Sequence, residues 1–136
     1  MSEENKAIVR RYFAAIDMGD LAAIDELFAP TYVRHDSNAP EMKGLDNLKR
    51  HIRMVYTAAP DLRHTIEDIL ADGDRVATRM TSRGTQTGDF RGIAPTGKQF
   101  IATGMDFFRI MNDKIEEQWT TLDTLGVLQQ LGVIPK

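Results

Sequence analysis

The sequence predicts an α+β fold, a single domain over residues 1–136 with helices gathered at the front covering one face of an antiparallel sheet. Three observations carry that expectation. The chain has 136 residues, a length that fits one core and buries roughly two-thirds of the surface its unfolded form exposes. Apolar residues recur at helical spacing as far as Ala59. Beyond Pro60, β-favouring runs alternate with turn dipeptides instead.

The elements follow in order. Ile8, Val9, Tyr12, Phe13 and Ile16 make a helical stripe between Glu4 and Met18, ended by Gly19. Asp20 is a cap for a second helix whose apolar side is Leu21, Ile24, Leu27 and Phe28, stopped at Ala29-Pro30. Thr31 to His35 reads as a short strand. Leu45, Leu48, Ile52, Val55 and Tyr56 give a third helix, closed by Ala58-Ala59-Pro60. His64–Leu70 and Arg75–Gly84 form a hairpin about Asp72-Gly73-Asp74, and Thr85–Lys98 reads as a glycine-rich loop or a broken strand. Gln99–Met111 and Lys114–Leu122 are two long strands meeting at Asn112-Asp113, and Leu125–Leu131 is a last helical turn before Gly132.

Composition narrows the function. With 17 Lys plus Arg against 20 Asp plus Glu, the net charge is -3. That opposes a nucleic-acid partner, which needs clustered positive charge. No cysteine is present, so there is no thiolate nucleophile or thiolate-held metal. The polar, acidic start does not read as a signal peptide, and no apolar run nears the roughly 20 residues of a membrane span. The expectation is a cytoplasmic protein without metal or other cofactor.

Several motifs imitate chemistry. Gly92 to Gln99 nearly spells a phosphate-binding loop, but Gln99 replaces the required hydroxyl residue and a strand follows where a helix should. His35, His51 and His64 lack metal-ligand spacing. His51 reads as solvated on a charged helix face. His35 reads equally as lining a pocket mouth or capping a loop. With a two-residue turn at Asn112-Asp113, Arg109 falls opposite Glu116 as a cross-strand ion pair.

The same register sorts the other face of that hairpin. Without a bulge, Asp106, Phe108 and Ile110 share it with Ile115, Glu117, Trp119, Thr121 and Asp123. Its apolar members place it under the helices, so Asp106 and Asp123 are expected to point into an apolar interior, about 13 Å apart. There a carboxyl has its pKa raised and suits general acid/base work. Two plainer readings stand beside this: Asp123 as a helix cap, and Asp106 as a hydrogen-bonded structural carboxylate.

Pro60-Asp61-Leu62, Ala71 to Val76, Gly84 to Phe90, Gly92 to Lys98, Phe108-Arg109-Ile110, Lys114 to Trp119, Asp123 and Gln129 to Gly132 together resemble the SnoaL-like polyketide cyclases. The resemblance implies the cone-shaped, curved antiparallel sheet of the nuclear-transport-factor-2-like superfamily, helices on its concave face, usually as a homodimer. It also implies a cofactor-free intramolecular aldol cyclisation of a polyketide ester, with Asp123 as the acid/base. Gln86 stands where relatives often carry histidine, and cannot titrate. Tyr12, Tyr56, Gln86 and Thr121 are candidates to stabilise an enolate oxygen. Phe13, His35, Asp106, Phe108 and Trp119 complete the expected pocket for a small hydrophobic carbonyl compound. An isomerase or epoxide hydrolase on the same fold is an alternative. So is a non-catalytic ligand-binding or dimerisation module, its interior filled by Met54, Met80 and Met105.

Overall fold

Residues 2–136 are described by a computed structural model of the chain. The elements are α1 (Ser2–Asp17), α2 (Ala22–Leu27), β1 (Phe28–Asp36), β2 (Met42–Lys43), α3 (Leu45–Ala58), β3 (Arg63–Asp72), β4 (Arg75–Thr85), β5 (Gln99–Met111), β6 (Lys114–Leu122) and α4 (Thr124–Gln130). Six strands make one curved, open sheet in the order β2-β1-β6-β5-β4-β3. The α+β class and the helices on the concave face are as expected.

The sheet is not wholly antiparallel. β1 runs parallel to β6, with Arg34 opposite Gln118 and Asp36 opposite Thr120. Joining a front strand to the last one is a non-local choice that no local pattern announces. The two-residue β2 beside β1 was likewise not foreseen.

Local chemistry explains the long elements. α1 starts with Glu3 and Glu4, whose charge suits a helix N-terminus. It buries Val9, Tyr12, Phe13 and Ile16 against the sheet. Asp20 Oδ1 accepts from the Ala23 N–H at 3.3 Å, helping to start α2. Gly44, at φ 86°, precedes α3, which buries Leu48 and Ile52. Asn112 and Asp113 both take left-handed conformations, as the tight β5–β6 turn requires. Gly88 is needed for another reason: a side chain there would collide with the Thr57 carbonyl, where the loop after β4 hydrogen-bonds to Ala58 at the end of α3.

The core lies between the helices and the concave face. Tyr12, Phe13, Phe28, Tyr32 and Phe108 form a chain of tilted and edge-on ring contacts. The core thins towards the far end of the sheet. There α4 packs Val127 and Leu131 on Ala102 and Phe100. Gln130 hydrogen-bonds both backbone groups of Ile101, at 2.7 and 2.8 Å, on β5 beyond the end of β6.

Candidate functional site

Between α1, α3, α4 and the concave sheet face lies a cavity of about 200 Å³. Its apolar wall includes Phe13, Ile16, Ile52, Val55, Met80, Val127 and Leu131. The polar wall comes mainly from the sheet, Arg34, His64, Asp106, Gln118 and Thr120, with Tyr12 and Tyr56 from the helices.

One bulge decides which side chains form that wall. Met111 faces Lys114 and Ile110 faces Ile115, as a two-residue turn demands, but Arg109 then faces Glu117. Glu116 is the extra residue. Past it, every β6 side chain is on the opposite face from the one simple alternation assigns. Gln118 and Thr120 therefore share the inner face with Phe108 and Asp106, while Trp119 lies on the other side.

This corrects the expected position of Asp123. It is exposed, and its Oδ1 accepts from the Gly126 N–H at 2.9 Å as the N-cap of α4. It is not among the residues lining the cavity. Asp106 does line it. Gln118 Nε2 donates to Asp106 Oδ1 at 3.2 Å, and Gln118 Oε1 in turn accepts from the Tyr32 hydroxyl at 2.7 Å. Asp106 is half-buried and borders the cavity. Desolvation pushes its carboxyl above the ordinary range, against the lowering pull of Thr120, Arg34 and Gln118.

A second polar cluster was not foreseen. Asp17, at the end of α1, accepts from the Tyr56 hydroxyl at 2.6 Å and the His64 backbone N–H at 2.8 Å, and is 2.7 Å from His64 Nδ1. Burial alone would raise the Asp17 pKa, but these bonds hold it below the usual carboxylate range. An ionised Asp17 accepts a hydrogen bond from the Nδ1–H, which fixes the ring, and Nε2 has no hydrogen bond to the described residues. Phe13 packs on that ring at 5.3 Å. Tyr56 is pushed up by burial and by Asp17, and Tyr12 by burial, so both hydroxyls stay protonated.

The other expected residues divide. Tyr12, Phe13 and Tyr56 border the cavity, and Thr121 sits at its rim with its hydroxyl 2.8 Å from Ser37. Phe108 is fully buried beneath the lining. His35 and Trp119 are corrections: they stack on each other at 5.3 Å on the outer face, where His35 Nε2 meets Glu117 at 2.7 Å. Gln86 lies at the cavity, but its amide is consumed. Nε2 donates to the Gly88, Ile93 and Ala94 carbonyls, and Oε1 accepts from the Thr96 N–H and hydroxyl. It pins the glycine-rich loop. His51 is half-buried at the cavity, not solvated, and is pushed down to about 4 by burial, Arg34 and Arg91. Arg109 bonds Glu116 at 2.8 Å as expected, and Glu117 at 3.2 Å as well. No cluster of three or more metal-binding side chains occurs among the described residues, and no described helix is long and apolar enough to cross a membrane.

Comparison with known proteins agrees with this architecture. The family described as SnoaL-like polyketide cyclase matches residues 6–131. Aklanonic acid methyl ester cyclase DnrD of Streptomyces peucetius is 24% identical over 128 residues, spanning 92% of this chain and 88% of that protein. Among solved structures, AclR from Streptomyces galilaeus, described as a candidate hydroxylase, has a TM-score of 0.88 and 29% identity, covering 98% of this chain and 84% of AclR. Wild-type IdmH from Streptomyces antibioticus, described as a candidate polyketide cyclase, has a TM-score of 0.83 and 31% identity, covering 94% and 98%.

Proposed function

The chain belongs to the SnoaL-like polyketide cyclase family, and from that premise we propose that it closes a carbon ring by intramolecular aldol addition, with Asp106 as the acid/base. The observation that carries this reading is a desolvated carboxyl on the inner wall of an apolar cavity, steadied by Gln118 and Thr120.

Asp106 takes a proton from a carbon flanked by carbonyl groups. The electron pair left behind forms an enolate, whose carbon bonds to a second carbonyl of the same molecule. That carbonyl's π electrons become an alkoxide, which takes the proton back from Asp106. Atoms and electrons balance without an oxidant or reductant. A positioned base of this kind contributes about 10²–10⁴-fold. The apolar walls add the advantage of holding the reacting ends together. Tyr12, protonated and beside Gln118, is the donor to the enolate oxygen. His64, its ring fixed by Asp17, lines the same cavity and is a polar contact for the substrate.

The test uses aklanonic acid methyl ester, the compound named for the DnrD relative. Ring closure gives a product of unchanged mass, whereas hydroxylation adds an oxygen atom. The proposal expects the isomeric product from the wild type and its loss in a folded Asp106→Asn variant. An oxygenated product, or unchanged closure by Asp106→Asn, would refute it.

We also propose a homodimer formed through the outer sheet face. Met105 and Phe107 are 59% and 41% exposed there, flanked by Trp119 and Arg75.

A further inference from the structure

The cavity contains a cation that the ring closure does not use. Arg34 lies on β1 with Gln118 beside it on β6, and its guanidinium interacts with the Tyr32 and Tyr12 hydroxyls. Among the described residues, no carboxylate lies within 4 Å of it. Its Nε–H is one of two buried side-chain polar atoms there that lack a hydrogen-bond partner. Asp106 acts on it only through space. A guanidinium withdrawn from water in this way is costly unless something anionic completes its shell.

Arg34, together with Asp36, His51 and Arg91, also separates the cavity from a second cleft of about 380 Å³ that opens between β2 and α3. Four cationic side chains line that cleft, Arg34, Lys43, Arg50 and Arg91, against two carboxylates, Asp36 and Glu41. This local excess of two positive charges sits in a chain whose net charge is -3. The lowered pKa of His51, caused after burial by Arg34 and Arg91, is a second sign of positive potential.

We infer that Arg34 binds a carboxylate of the substrate, so that this chain takes a free acid where the DnrD relative is named for a methyl ester. The cleft is the charged entrance through which that group passes. Arg34 and Asp106 are two strand spacings and two residues apart, about 12 Å between Cα atoms. A carboxylate held at Arg34 therefore leaves the carbon skeleton running along Gln118 to Asp106. The choice of substrate rests on the cyclase reading, while the carboxylate site itself is tested by binding alone.

The experiment is calorimetric titration of the full-length protein with 2-naphthoate, methyl 2-naphthoate and 2-naphthamide. The wild type should bind the acid about tenfold or more tighter than either neutral probe, the range of a charge-assisted hydrogen-bond pair. Arg34→Met should lose that preference while its affinity for the ester changes little, and Arg34→Lys should keep part of it. Equal wild-type affinities, absence of measurable binding of 2-naphthoate, or a preference surviving in Arg34→Met would each overturn the proposal. The wild-type comparison decides even where Arg34→Met fails to fold. Acid preference without ring closure would sink only the cyclase reading. Ring closure without acid preference would sink only this one.

Discussion

Replacing Asp123 by asparagine separates a cap from a catalyst. Asparagine caps helix N-termini about as well as aspartate, so the bond from the Gly126 N–H, 2.9 Å in the native chain, survives. The negative charge near the start of α4 is lost, at a cost of about 0.3–1 kcal/mol. Asp123→Ala removes the bond as well, and caps of this kind are worth about 0.5–2 kcal/mol. For a chain of this length each kcal/mol lowers Tm by roughly 3–6 °C, so the loss spans about 2–12 °C. α4 carries Val127 and Leu131 onto the cavity wall, so the alanine variant should loosen the site without removing a reacting group. Turnover and thermal unfolding are measured together on both variants. Asp123→Asn should match the wild type in turnover and melt at most a few degrees lower. A fall of about 100-fold or more in kcat for Asp123→Asn, with its melting unchanged, would refute the cap account and restore Asp123 as the acid/base.

Three further outcomes are expected. Gln86→Ala leaves the Gly88, Ile93 and Ala94 carbonyls without their side-chain donor. It should cost about 2–3 kcal/mol in urea unfolding, and a cost near zero would contradict the pinning role. Asp17 has a depressed folded pKa. Its contribution is full above the ordinary carboxylate value of about 3.9 and is lost as pH falls through the lower folded value. The stability gap between wild type and Asp17→Asn should therefore narrow at acid pH, and a gap unchanged at about pH 2 would contradict the network. Met105→Glu should convert a dimer to a monomer in size-exclusion light scattering, whereas a monomeric wild type would refute the outer-face pairing.

Most of the scaffold was legible because its signals are local. Gly19, Pro60, Gly73 and the Asn112-Asp113 pair punctuate the chain where the elements end. The site was harder to read, for a reason located at Glu116. Two adjacent glutamates offer no sign of which is the extra residue, and an apolar Trp119 argues for the uninterrupted register that carries it inward. The actual register places Gln118 and Thr120 inside, leaving Trp119 to stack on His35 and Phe107 outside. One unpaired residue thus moved the inferred acid from Asp123 to Asp106. Arg34 was visible only as part of a short strand. Its importance depends on the parallel pairing with β6, which joins residues more than 80 positions apart. The Asp17–His64–Tyr56 cluster escaped notice likewise, since its members come from three separate elements.

The role of Asp106 is tested most directly by carbon-13 NMR titration of its side-chain carboxyl, assigned by comparison with Asp106→Asn. A resonance titrating above the ordinary aspartate value of about 3.9 is what a carboxyl removed from solvent and ready to accept a proton from carbon requires. Titration at or below that value, in step with the surface aspartates, would contradict it.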